Sequence, residues 1–131
     1  MGIEKDYLMR QLLMLFEVIQ KILRYRKKGE KGKAEEEINY FYQTLKIEKD
    51  IRSMHIEELL LFLEKERNLS NEHIEMVAFV LKEQGELEED QKHKINFFRK
   101  AYFLLDKVER ESITFSMDRQ LKMAELREYL N

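Results

Sequence analysis

Histidine is the side chain best suited to proton transfer or metal binding near neutral pH, and this chain has three. His93 follows Glu89 by four residues, a spacing that places two metal ligands on one face of a helix. A site needs more ligands, and neither a His-Glu-x-x-His nor a Glu-x-x-His partner occurs elsewhere. The acidic turn around Glu88-Glu89-Asp90 also breaks the helix the pair would share. His93 is therefore read as a surface histidine, and no metal is expected. His55 and His73 stand in the first turns of predicted helices beside glutamates, where local polar interactions account for both.

Other groups with chemical potential fail on spacing. Gly29-Glu30-Lys31-Gly32-Lys33-Ala34 superficially resembles a phosphate-binding loop, but the glycine spacing is wrong. No Ser or Thr follows the lysine, and no strand precedes it. Glu35-Glu36-Glu37 and Glu88-Glu89-Asp90 supply neighbouring carboxylates, yet adjacent helix positions diverge and cannot flank a substrate as acid and base. There is no cysteine, which excludes thiolate chemistry and disulfides. With no nucleophile, base and orienting group in view, the expectation is a protein without catalytic activity or cofactor.

What the residues offer instead is surface. The basic run Arg24, Arg26, Lys27, Lys28, Lys31 and Lys33 is the most polarised patch. Its cations suit the negative end of a helix dipole, and Arg24, Lys27 and Lys28 are also candidates for an acidic partner. The aromatic clusters Tyr40-Phe41-Tyr42 and Phe97-Phe98 with Tyr102-Phe103 cannot all face one core, because consecutive helix positions point in different directions. Tyr40, Phe97 and Phe103 are the candidates for a partner-binding face.

These residues must be carried by helices. Apolar residues recur at helical spacing from about Glu4 to Lys28, with Leu8, Leu12, Leu15 and Ile19 on the main face and Met9, Leu13, Met14 and Val18 beside it. A helix apolar over more than half its circumference is central in a bundle or covered by a second subunit. Leu8, Leu12, Leu15 and Ile19 are thus the candidate self-association residues, and a dimer is expected. Two glycines end this helix, and a second runs from about Ala34 to Leu45. A loop or single turn holds Ile47 and Ile51, and a third helix starts near His55, capped by Ser53 or His55. Ser70 caps a fourth and a fifth spans about Lys92 to Glu111. Ser116 caps a sixth, with Phe115 stapled onto its first turn.

Composition agrees with an all-α protein of about six helices in antiparallel hairpins. The 131 residues include no proline and four glycines, and 44% are apolar. They are read as one helical domain, residues 1–131, in which an N-terminal hairpin, 1–46, packs on a C-terminal part, 54–131. A net charge of −2 argues against nucleic acid as a partner. Arg10, Glu17 and Lys21 interrupt the apolar N-terminal run too often for a spanning helix, and a signal peptide's basic start and cleavage site are missing. Met1-Gly2 opens like an acylation site, but Asp6 stands where Ser or Thr is required. The expectation is a cytoplasmic chain that does not bind membranes.

Ile38-Asn39-Tyr40-Phe41 is echoed 57 residues later by Ile95-Asn96-Phe97-Phe98, each closing a run, turn and second helix, as stacked helical hairpins do. Leu81-Lys82-Glu83-Gln84-Gly85-Glu86-Leu87 resembles the first-helix segment of a tetratricopeptide repeat. Phe98-Arg99-Lys100-Ala101-Tyr102-Phe103-Leu104-Leu105 resembles its second. Gly85 and Ala101 are only 16 residues apart and no proline closes the unit, so the repeat is degenerate, covering about 71–110. Over the whole chain, Asp6-Tyr7-Leu8 with Arg10-Gln11, the segment His55–Leu59, and Thr114-Phe115-Ser116 with Arg119 are similar to a family of uncharacterised bacterial all-helical proteins. These resemblances imply a short solenoid or bundle and a bacterial cytoplasm, and assign no site residue.

The functional expectation is a protein–protein interaction or scaffolding module with an unidentified protein partner, self-associating through the first helix. Two alternatives come from other classes. One is a small ligand-binding or regulatory domain with a pocket reached by Tyr40, Tyr102 or His93. The other is membrane-surface association through the first helix and its basic tail.

Overall fold

A computed structural model describes residues 2–131, with side chains from residue 5 onward. Met1, part of the start weighed for acylation, lies outside the described residues. The described chain is 81% helical, with six α-helices and no strand. It divides into two compact units, Met1–Ile47 and Glu48–Asn131.

The first unit is an antiparallel helical hairpin. Helix α1 spans Gly2–Lys27 and α2 spans Lys31–Thr44. Gly29 adopts φ 77° between them, the left-handed geometry glycine reaches without steric cost. Its N–H donates to Arg26 O at 3.0 Å and the Glu30 N–H to Tyr25 O at 2.9 Å, which satisfies the last carbonyls of α1. The same double bond closes α2, where Lys46 takes φ 57° and Ile47 N–H donates to Tyr42 O at 2.9 Å. Leu15, Val18, Ile19 and Ile22 are buried on α1, and Ala34, Ile38 and Phe41 on α2. The Lys33 ammonium lies 5.8 Å from the Tyr25 ring centre and the Tyr40 hydroxyl 3.8 Å from Met14 Sδ, which sets the antiparallel register.

The second unit begins with a 3-10 turn, Ile51–Ser53, followed by α3, Ile56–Leu61, which continues as a π turn over Phe62–Glu66. Of the two caps expected for α3, His55 occupies the position, its N–H donating to Glu58 Oε1 at 3.4 Å. Asn68, at φ 53°, turns the chain out of the helix. Helix α4 spans Asn71–Leu87, α5 Gln91–Glu111 and α6 Met117–Leu130. Each starts at a side-chain cap: Ser70, Asp90 and Ser116 accept from the N–H groups of His73, His93 and Arg119.

Burial within α4 runs all the way round, from Ile74 through Val77, Ala78, Phe79, Val80 and Leu81, so α4 is the central helix of this unit. Helix α5 packs along it at Gly85. That glycine lies inside α4, and Lys94 Nζ donates to its carbonyl at 2.6 Å and to that of Glu86 at 3.3 Å. Phe115 does not form the expected staple. The residue is 73% exposed, and the turn before α6 is held by polar bonds instead.

Candidate functional site

Helix α1 is much longer than the helix that covers it. At 1.5 Å per residue its 26 residues span about 39 Å and the 14 of α2 about 21 Å. Met14 is level with Tyr40 and α2 ends about one turn later, at Thr44, so the part of α1 before about residue 10 runs past the end of α2. The stripe Leu8, Leu12, Leu15, Ile19 therefore changes character along its length. Leu15 and Ile19 are core residues, Leu12 is half-buried, and Leu8 is exposed. The expectation that all four associate is corrected for Leu15 and Ile19, which the monomer already buries. The exposed apolar residues are Tyr7, Leu8, Met9, Leu13, Met14 and Phe16. At 100° per residue these positions spread round most of the helix, broken by a stripe of Asp6, Arg10 and Glu17, and so broad an apolar surface on a helix is one that packing covers.

A second apolar surface, missed in the sequence, lies at the turn between α5 and α6. Ile113 is fully exposed, and Phe115, Met117 and Leu121 are more than half exposed. The turn beneath them is rigidly held. Arg119, only 4% exposed, donates through Nη1 to Glu75 Oε2 at 2.6 Å, through Nε to Glu109 Oε1 at 2.7 Å and through Nη2 to Thr114 O at 2.9 Å. Burial opposes its charge, and the bonds to Glu75 and Glu109 outweigh burial and raise its pKa. Ser112 Oγ donates to Thr114 O at 3.1 Å and accepts from the Thr114 N–H at 3.2 Å. The alternation Ile-Thr-Phe-Ser-Met was the available signal, read in the sequence only as a cap and a staple.

Polar groups converge at a third place. A cavity of about 340 Å3 is lined by Asp50, Arg52, Ser53, Glu88, His93 and Asn96, with Phe97 at its wall. Asp50 caps the 3-10 turn and accepts from Arg52 Nε at 3.0 Å, and that bond holds its carboxyl below the usual carboxylate range. Asn96 Nδ2 and Lys100 Nζ, one turn apart on α5, both donate to the Arg52 carbonyl. Lys100 is buried, and burial pushes its ammonium pKa down. Its counterparts Lys82 and Lys107 are instead paired with carboxylates: Glu125 at 2.8 Å for Lys82, Glu64 and Glu111 for Lys107. Opposed charges in the cavity, Arg52 against Asp50 and Glu88, leave it without a dominant sign.

The sequence candidates are distributed among these surfaces. Tyr40 is exposed on α2 beside Met14, Phe103 is half-buried, and Phe97 is 4% exposed. Phe97 therefore faces packing, and its candidacy as an open partner contact is corrected. Arg24, Lys27 and Lys28 are exposed at the end of α1. His93 reaches the cavity, but Tyr40 and Tyr102 do not line it. Glu89 lies in the turn before α5, and the His93 Nδ1 faces Asp90 Oδ2 at 3.4 Å. Among the described residues no group of three His, Asp or Glu side chains is placed to hold a metal ion, and no helix is long and apolar enough to cross a membrane. Compared with known proteins, the chain matches no protein-family model, no curated protein and no solved structure.

Proposed function

We propose that the protein is a protein-interaction module that self-associates through the uncovered turns of α1. One observation carries this reading: along residues 7–16 of α1, Tyr7, Leu8, Met9, Leu13, Met14 and Phe16 stay exposed on faces that α2 leaves open. Burying such side chains stabilises an assembly by about 25 cal/mol per Å2, and leaving them in water is what soluble monomers avoid. Tyr40 extends the surface onto α2.

Sedimentation velocity over a wide concentration range tests it. The wild type is expected to shift from monomer to a larger species, and Leu13→Asp to remain monomeric with unchanged helicity. A wild type that stays monomeric at every concentration counts against self-association.

The polar cavity favours a second reading, a site for a small polar molecule, because Arg52, His93, Asn96 and Glu88 offer donors and acceptors together. Saturable thermal stabilisation by a polar metabolite, lost in Arg52→Ala, is its expected signature.

A further inference from the structure

We infer that the surface covering α1 is the α5–α6 ridge of a second copy, formed by Ile113, Phe115, Met117 and Leu121. This rests on the self-association proposed above and names the two faces that meet. The first argument is area. At roughly 200 Å2 per large side chain, the exposed fractions leave about 600 Å2 of apolar surface on the ridge and about 600 Å2 on α1. The two match each other and approach the ~800 Å2 per partner of a stable interface once a polar rim is added.

The second argument is charge. Unit Met1–Ile47 holds 10 Lys and Arg against 7 Asp and Glu, net +3, and unit Glu48–Asn131 holds 14 against 19, net −5. Pairing α1 with α1 sets two positive units together, whereas pairing α1 with the ridge sets positive against negative, which speeds encounter and disfavours the wrong partner. The acidic unit also disfavours an anionic membrane as the occupant of the ridge.

The third argument is pre-organisation. Arg119 pins Thr114 from within the unit, so the ridge is displayed on an ordered turn and little freedom is lost on docking.

Two variants with one damaged face each provide the test: Leu13→Asp on α1 and Phe115→Asp on the ridge, both exposed positions where folding is spared. Each alone is expected to weaken self-association by about 30-fold or more. Mixed together, each supplies the face the other lacks, and sedimentation is expected to recover a 1:1 species. If Phe115→Asp assembles like the wild type while Leu13→Asp does not, the ridge is overturned and self-association stands. If both variants fail and their mixture stays monomeric, the ridge is likewise overturned; if the wild type never assembles, both readings fall. Should circular dichroism show either variant unfolded, Leu8→Glu and Ile113→Lys replace them with the same expected outcomes.

Discussion

Gly85 stands directly against the ring of Phe98: a Cβ built on the glycine would lie 2.5 Å from Phe98 Cε1 and 3.2 Å from Phe97 Cβ. The ring has little room to yield. Phe98 is fully buried and stacked on Tyr129 with centroids 4.4 Å apart, and Lys94 Nζ sits 5.5 Å from its centre. The closest approach of α4 and α5 thus depends on one missing side chain.

Gly85→Ala sets two effects against each other. Alanine in a helix interior gains about 1 kcal/mol over glycine, while overpacking a tight core costs about 1–3 kcal/mol. With a contact this short the second wins, and a net loss of about 1–2 kcal/mol is expected in denaturant unfolding followed by circular dichroism. Gly32→Ala is the control. Nothing lies within 4 Å of a Cβ there, so it is expected to be neutral or to stabilise by about 0.5 kcal/mol.

Arg119→Met removes the partner of Glu75 and Glu109 and frees the Thr114 carbonyl. Losing one side of a buried ion pair costs about 3–5 kcal/mol when the partner stays buried. Glu75 and Glu109 keep 21% and 36% side-chain exposure, so water offsets part of the loss and about 2–3 kcal/mol is expected. Amide exchange is expected to quicken most at 112–117. A stability equal to wild type would remove Arg119 as the support of the turn.

His73 gives the second unit a pH dependence of known sign. The residue is buried, and its Nδ1 lies 2.7 Å from Ser70 Oγ. Burial holds its pKa below the ordinary 6.5, against a smaller opposing effect of Glu72. The unfolded chain therefore binds a proton more readily than the folded one. Its contribution to stability is full above about pH 6.5 and is lost as pH falls toward the folded value, by at most about 1.4 kcal/mol per pH unit. His73→Gln is expected to flatten melting temperature between pH 6.5 and 5. An unchanged slope in that variant would assign the dependence elsewhere. Asp50, whose carboxyl is lowered by its bond to Arg52, contributes in a separate window, at more acidic pH.

Sequence reading reached the helices because their signals are local. Ser70 and Ser116 cap where the pattern places them, and Gly29 ends α1. Expected and observed helix limits differ by a few residues at most, as for α2, which begins at Lys31 where Ala34 was expected. Gly85 stood in the repeat-like first-helix segment, but the sequence left open whether it lies within a helix or ends one, and the packing of Phe98 against it inside α4 decided that. Sites were harder. Arg119 meets Glu75 from 44 residues away, and Asn96 meets the Arg52 carbonyl across an equal separation. No periodicity connects such positions.

The apolar run of α1 shows the division most plainly. Spacing alone established that Leu8, Leu12, Leu15 and Ile19 share a helix face, because the backbone's period is fixed by its own hydrogen bonds. Which of them meet water depended on where α2 stops. That length mismatch buries Leu15 and Ile19 and leaves Leu8 open, and it belongs to the packing of two helices, a relation that no single stretch of chain contains.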